Sequence, residues 1–275
     1  MPDDLSKYQG VGQFGRAYRI MLENDPNAPG SVDRVLREQM VRLCRETAGW
    51  LYAGYTPVQV GYRPGSRPEL EGHLAAALAG CGTEEEKIAR INRFCASVQE
   101  RAGDDLDTAV FGGTEEEIIA RGSQWCTEIA RAACVLCQIA GLPARMVYLL
   151  DTEQAYSGHA IIEVYRGGFW GAVCPETDVI YRCPGGAPAS TWELMNAPAL
   201  IEMHWRGPST LYTTPGQFRG AAVSNYFAWE HQCYNYLVSP INGYYRSILE
   251  MSLRGWPGGL RWLHGEDRRD RDRQA

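Results

Sequence analysis

The chain has 275 residues, 45% of them hydrophobic and 22% charged, which is ordinary globular composition with room for one large domain or a domain plus an extension. Its formal charge of −6 gives no electrostatic ground for nucleic acid or an anionic membrane as partner. No stretch reaches the roughly 18 apolar residues of a spanning helix, and the opening MPDDLSKYQG has no apolar signal core, so the expectation is a soluble protein of the cytoplasm.

Residues 1–30 are mixed, with Asp25-Pro26 and Pro29-Gly30 as breakers. Ser31 is placed to cap a helix in which Val32, Val35, Leu36, Met40, Leu43 and Cys44 recur at helical spacing. Residues 54–70 read as loop or short strand, interrupted by Pro57, Pro64 and Pro68. Thr83 and Glu86 form a capping box, and Ile88, Ile91, Cys95 and Val98 stripe the helix that follows. Thr114 and Glu117 repeat the box, with Gly122 as a natural stop. A further helix begins near Cys126, carries Ile129, Ala133, Leu136 and Ile139 on one face, and ends at Gly141. Pro143 leads into a strand over 145–150. A polar loop over 151–158 precedes a second strand opened by His159, and Arg166-Gly167-Gly168 turns it into a hairpin with 169–173.

The last 90 residues differ in character. They hold Trp192, Trp205, Trp229, Trp256 and Trp262 with many tyrosines, and they read as an aromatic-rich extension with a helix across 241–253. The segment 255–259 is a tight turn, and the tail EDRRDRDR is solvated. The expected organisation is an N-terminal helical region (1–80), a central core (81–185), an aromatic-rich extension of the same domain (186–264) and a charged tail (265–275).

The chemistry concentrates between Arg121 and Thr177. A thiol must become a thiolate to attack an acyl carbon, and the first turn of a helix favours negative charge. Cys126 holds that position, just after Gly122-Ser123-Gln124-Trp125. His159, at the start of a strand, supplies an imidazole with a pKa suited to act as base. An acceptor that fixes the histidine tautomer would come from the neighbouring strand, near 170–177.

The order of these pieces resembles the transglutaminase-like superfamily. The matching residues are Trp125-Cys126, Gly141-Leu142-Pro143-Ala144-Arg145, His159-Ala160-Ile161-Ile162-Glu163-Val164, and Trp170 followed by Cys174-Pro175-Glu176-Thr177. The resemblance covers roughly 84 to 185. It implies an α+β fold of papain-like type, with the nucleophile helix packed on an antiparallel sheet. It implies acyl transfer or hydrolysis at a peptide, amide or ester through a Cys126 thioester, with His159 as general base. Trp125 and Gln124 would line the acyl or oxyanion site. No metal or organic cofactor is needed for such a route. Two positions depart from the family's pattern: Cys174 stands where it carries an Asp, and Ile161 where it often carries a Trp. Glu176, and more distantly Asp178, are the nearby carboxylates that could substitute for that Asp.

Other readings stand beside this one. The Cys174 replacement suits a non-catalytic member of the fold that uses the cleft for binding. Cys134-x-x-Cys137 with Cys174 and Cys183 suggests a zinc-stabilised interaction module, against which the first pair falls mid-helix in an apolar stripe. Nine cysteines, an odd number, read otherwise as reduced thiols. Glu163 is either a partner of His159 on the same strand face or a solvent-facing carboxylate. His204, His231 and His264 read as structural or surface residues.

Overall fold

A computed structural model describes residues 40–55, 60, 62–102, 110–111, 113–123, 125–151, 156–204, 218, 220–224 and 239–240. Its frame is a six-stranded, wholly antiparallel sheet built from β1 (Val41–Leu43), β3 (Ala144–Asp151), β4 (Tyr156–Arg166), β5 (Phe169–Cys174), β6 (Val179–Ile180) and β7 (Ala221–Ser224). The strand order is β1-β7-β3-β4-β5-β6. A separate two-stranded ladder pairs β2 (Val110–Phe111) with β8 (Ser239–Pro240). The helices are α1 (Arg45–Trp50), α2 (Pro68–Ala77), α3 (Glu84–Glu100), α4 (Glu115–Arg121), α5 (Cys126–Ile139), α6 (Thr191–Asn196) and α7 (Ala199–Glu202), with a π-helical turn over Leu51–Tyr55. The α+β class is therefore as the sequence predicts. No described helix is long and apolar enough to cross a membrane.

Strand alternation divides the apolar residues between two faces. Met146, Tyr148, Ala160, Ile162, Val164 and Val173 face one core, packed against α3 and α5. Val147, Leu149, Ile161, Ala172 and Cys174 face the other, with Val41, Leu43 and Val223. Helix α5 lies in the middle of the first core, and every residue from Thr127 to Gln138 is buried. A helix enclosed on all sides must find partners for its polar side chains, and Arg131 and Gln138 both have them. Arg131 donates to Glu115 at 3.0 Å and to the Gly113 carbonyl at 2.9 Å, and Gln138 Nε2 donates to the Ala144 carbonyl at 2.6 Å. Glu115 also accepts from Arg67 at 2.8 Å, which ties the start of α2 to α4 and α5.

Both predicted capping boxes form. Thr83 accepts from the Glu86 N–H at 3.2 Å, and Thr114 accepts from the Glu117 N–H at 3.3 Å. The two-residue turn between β4 and β5 puts Gly167 and Gly168 both at positive φ (56° and 89°), the conformation that lets a tight hairpin follow the strand twist.

Three expectations need correction. The helix anticipated through Met40, Leu43 and Cys44 is replaced there by β1, because Val41–Leu43 pairs with Ala221–Val223 across the sheet. The loop over 54–70 contains the start of α2, and Pro68 opens that helix because its first turn needs no N–H from that residue. The polar loop over 151–158 is shorter than expected: β3 runs to Asp151 and β4 begins at Tyr156, so His159 sits within a strand rather than at its mouth. The expected helix over 241–253, the charged tail, and Trp205, Trp229, Trp256 and Trp262 lie outside the described residues.

Candidate active site

Cys126 is the first residue of α5, with Trp125 as its N-cap. Trp125 offers no side-chain cap, and the start of the helix is held from its neighbours instead. Ser123 Oγ accepts from the Trp125 N–H at 3.0 Å and donates to Glu128 Oε2 at 2.6 Å. Arg121 Nη2 donates to the same carboxylate oxygen at 2.8 Å. Glu128 is fully buried and Arg121 partly so, which strengthens this ion pair relative to one in water. Upstream, Gly122 adopts φ +82° and packs against the end of α3; a Cβ there would lie 2.8 Å from the Ala102 nitrogen. Helix end, turn and next helix are thereby locked, and they fix where Cys126 points.

His159 comes from β4, beside a bulge. Leu149 pairs with His159 and Leu150 with Ser157, so Gly158 is the extra residue on that strand. A bulge re-aims the side chain next to it, and here that side chain is the imidazole. His159 is wholly buried. Its Nε2 lies 3.2 Å from Cys174 Sγ, and its Nδ1 lies 3.4 Å from Glu176 Oε2. One ligand-type atom from each of Cys126, His159 and Glu176 falls within 4.8 Å of the others.

Glu176 sits in a turn directly after β5. That turn closes through Asp178, the one described non-glycine residue at positive φ (54°). Helix α3 clamps it: Asn92 Nδ2 donates to Asp178 Oδ1 at 3.0 Å, Arg93 pairs with Asp178 Oδ2 at 2.7 Å, and Gln99 Nε2 donates to Glu176 Oε1 at 3.2 Å. Gln99 and Asn92 escaped the sequence reading. They fall on the α3 face toward the 175–178 turn, and only tertiary packing reveals that.

Burial governs the electrostatics. It pushes the Cys126 thiol well above its ordinary value, with nearby Glu176 adding to the rise, while hydrogen bonds from the Ala160 backbone and Thr127 oppose it. His159 is pushed down to about 3 and Glu176 up to about 8, in both cases by burial. Cys174 rises to about 12, by burial and then by Glu176. Near neutral pH the resting cluster therefore holds a thiol, a neutral imidazole and a largely protonated carboxyl.

The structure thus gathers buried His159, Cys174 and Glu176 beside half-buried Cys126, with half-buried Trp125 next to it. Gln124 lies outside the described residues. Cys174 and Glu176 address opposite nitrogens of the imidazole rather than one shared side, because β5 ends at Cys174 and alternation stops there. Glu163 is neither a partner of His159 nor solvent-facing. It is fully buried and accepts from Arg145 at 2.7 and 2.9 Å, from Tyr52 Oη at 2.8 Å and from the Thr191 N–H at 2.7 Å. Arg145, the last residue of the Gly-Leu-Pro-Ala-Arg segment, is its structural counter-charge and stacks 4.2 Å from the Trp170 ring centroid. Cys134 and Cys137 are buried within α5, inside the apolar core. Cys183 lies elsewhere, half-buried and 4.0 Å from Glu193. Asp178 faces α3, not the imidazole.

A separate cavity of about 510 Å³ opens near the β4–β5 turn, lined by Tyr52, Tyr165, Phe169, Trp170, Trp192 and Glu193 among others. None of the four clustered residues lines it. Tyr165 is six residues along β4 from His159, roughly 20 Å at strand rise, so cavity and cluster are distinct places.

Residues 72–175 match the family model described as the transglutaminase-like superfamily. The matched span runs from α2 to the residue after Cys174 and includes Cys126 and His159. Neither a curated protein nor a solved structure matches the chain.

Proposed function

We propose that this chain, through its transglutaminase-like domain, carries out cysteine-dependent acyl transfer or hydrolysis at an amide, peptide or ester bond. The observation that carries the reading is the convergence of Cys126, His159 and Glu176 within 4.8 Å, at the start of a buried helix on an antiparallel sheet. That arrangement supports a papain-like core, in which a thiol at a helix start faces a histidine on a strand.

In this reading the Cys126 sulfur attacks the substrate carbonyl while its proton passes to His159. The tetrahedral oxyanion is held by the Cys126 backbone N–H, in the first turn of the helix. Collapse breaks the bond to the leaving group, which takes the proton from His159. The Cys126 thioester is then cleaved by water, giving hydrolysis, or by an amine, giving transfer, and the thiol is restored. Glu176 is the carboxyl placed to balance the transient imidazolium through Nδ1, with Gln99 steadying its other oxygen. Cys174, at Nε2, fixes ring orientation without supplying charge. Trp125 borders the acyl site.

In the resting state a neutral imidazole stands beside an un-ionised thiol, so Cys126 loses its proton to His159 as it attacks. A second reading follows from the same feature, namely a non-catalytic binding module of this superfamily, favoured by a neutral Cys174 at the acid position.

Limiting iodoacetamide on native protein, read by mass spectrometry across pH, separates the two. The catalytic reading expects Cys126 to label ahead of the other eight cysteines, with His159→Ala slowing it at least tenfold. Labelling no faster than elsewhere, and indifferent to His159, would assign the cleft to binding.

A further inference from the structure

We infer that Cys126, His159 and Glu176 also form a site for one zinc ion, which holds the thiol in reserve; the reserve role rests on reading Cys126 as the nucleophile, whereas the binding itself does not. A thiolate, an imidazole and a carboxylate make up the mixed S, N and O donor set that zinc accepts. Their ligand atoms lie within 4.8 Å of one another. Tetrahedral zinc at about 2.0–2.3 Å from its ligands needs neighbouring donors roughly 3.3–3.8 Å apart, so the group closes by about 1 Å through side-chain rotation.

The second observation is that these ligands are already oriented from behind, as metal ligands are. His159 Nε2 rests 3.2 Å from Cys174 Sγ, which leaves Nδ1 turned toward Glu176. Glu176 Oε1 accepts from Gln99 at 3.2 Å. Its Oε2 is buried, lies 3.4 Å from Nδ1, and makes no hydrogen bond. A carboxyl oxygen without a hydrogen bond, 3% exposed in its side chain and aimed at an imidazole nitrogen, is the vertex a cation would complete on displacing its proton. Glu176 is the residue that makes the difference, because it brings a carboxyl within 4.8 Å of the Cys126 and His159 ligand atoms. Cys126 is only half-buried, so the ion enters along its side.

Binding forms a Zn–S bond as the Cys126 proton, and the proton that Glu176 carries near neutral pH, pass to solvent, with no change of oxidation state. The sulfur lone pair is then engaged, and three protein ligands leave a fourth position for water. Removing the ion returns the free thiol.

The full chain, stripped with a chelator and titrated with Zn²⁺ alone, tests this. One ion per chain is expected after dialysis, by elemental mass spectrometry. Cys126→Ser and Glu176→Gln should each weaken binding about 100-fold or more, and Cys174→Ala, acting through His159, about 10–100-fold. Cys183→Ser should leave it unchanged. Iodoacetamide labelling of Cys126 should fall at least tenfold with one equivalent of zinc and return with chelator. Absence of stoichiometric zinc, or affinity indifferent to Cys126 and Glu176, overturns the site. Should the variants fail to fold, Co²⁺ added to the unaltered protein must give a thiolate charge-transfer band that prior alkylation of Cys126 abolishes; no band overturns the site equally. Selective labelling of metal-free Cys126 that zinc does not block sinks the zinc site and leaves the acyl chemistry. Zinc bound by these ligands, with metal-free Cys126 inert, does the reverse.

Discussion

Replacing Cys174 by Asp returns a carboxylate to the position where the superfamily typically carries one. The present sulfur sits 3.2 Å from His159 Nε2, with both side chains buried. A carboxylate oxygen reaches further from Cβ than sulfur does, so it arrives at charge-assisted hydrogen-bond length, about 2.7–2.9 Å. An opposite charge near 4 Å from the ring centre is worth about 4 kcal/mol at an effective dielectric of about 20, or about three pKa units on the imidazole. Part of that is spent desolvating the new carboxylate, so a rise of roughly two units is the working figure. His159 would then move from about 3 toward its ordinary range. An imidazolium beside Cys126 lowers the thiol in turn. The assay is the iodoacetamide rate at Cys126 as a function of pH, in both proteins, with thermal melts to show that the fold is kept. The thiolate transition should shift down by at least one unit, with a tenfold or larger gain near pH 7. Superimposable profiles on equally folded proteins would refute the claim that charge at position 174 controls this site.

Four further outcomes follow from the packing and burial. Glu163→Ala leaves Arg145 buried and unpaired, which should cost about 3–5 kcal/mol in urea unfolding; a loss under about 1 kcal/mol would contradict the burial of this pair. Glu176 has a folded value of about 8, above its ordinary 4.5, so folded protein keeps a proton that unfolded chain has released, and stability declines as pH rises between those values. Glu176→Gln removes that term, and its stability relative to the unaltered protein should climb by up to about 1.4 kcal/mol per pH unit across the window. His159 has the opposite sign: its folded value of about 3 lies below its ordinary 6.5, so its contribution is present above 6.5 and lost as pH falls toward 3. His159→Gln should therefore flatten the acid limb of the stability curve, and an unchanged limb by calorimetry would count against neutral burial. Gly122→Ala should destabilise by about 1–3 kcal/mol and slow Cys126 labelling, because the added Cβ meets backbone at 2.8 Å in a left-handed conformation.

What the sequence disclosed was local. Capping boxes at Thr83 and Thr114 announce their helices through residues three apart, and the Gly167-Gly168 pair announces its hairpin through backbone freedom. The start of α5 at Cys126 was likewise legible. What it concealed depends on partners far along the chain. Val41–Leu43 becomes a strand because residues 221–223 are there to pair with it, about 180 positions later. Pro68 was read as a breaker, although proline also suits the first helical position. Glu163 gave no sign of burial, since its compensating charges come from β3 and its other donors from Tyr52 and Thr191. Glu176 was visible as a nearby carboxylate. Its approach to Nδ1 depends on a turn whose shape is set by Asp178 and Asn92, a contact across 86 residues.

The link between α4 and α5 has one further meaning, for how such a protein can diversify. Gly122 at its start admits no added carbon, and Ser123 and Arg121 are both committed to Glu128. Insertions and lengthened loops, the usual raw material of new specificity, would break this spacer before they altered a substrate. Variation in what reaches the thiol must therefore be written into other connections, leaving Arg121 to Cys126 as a segment of fixed length.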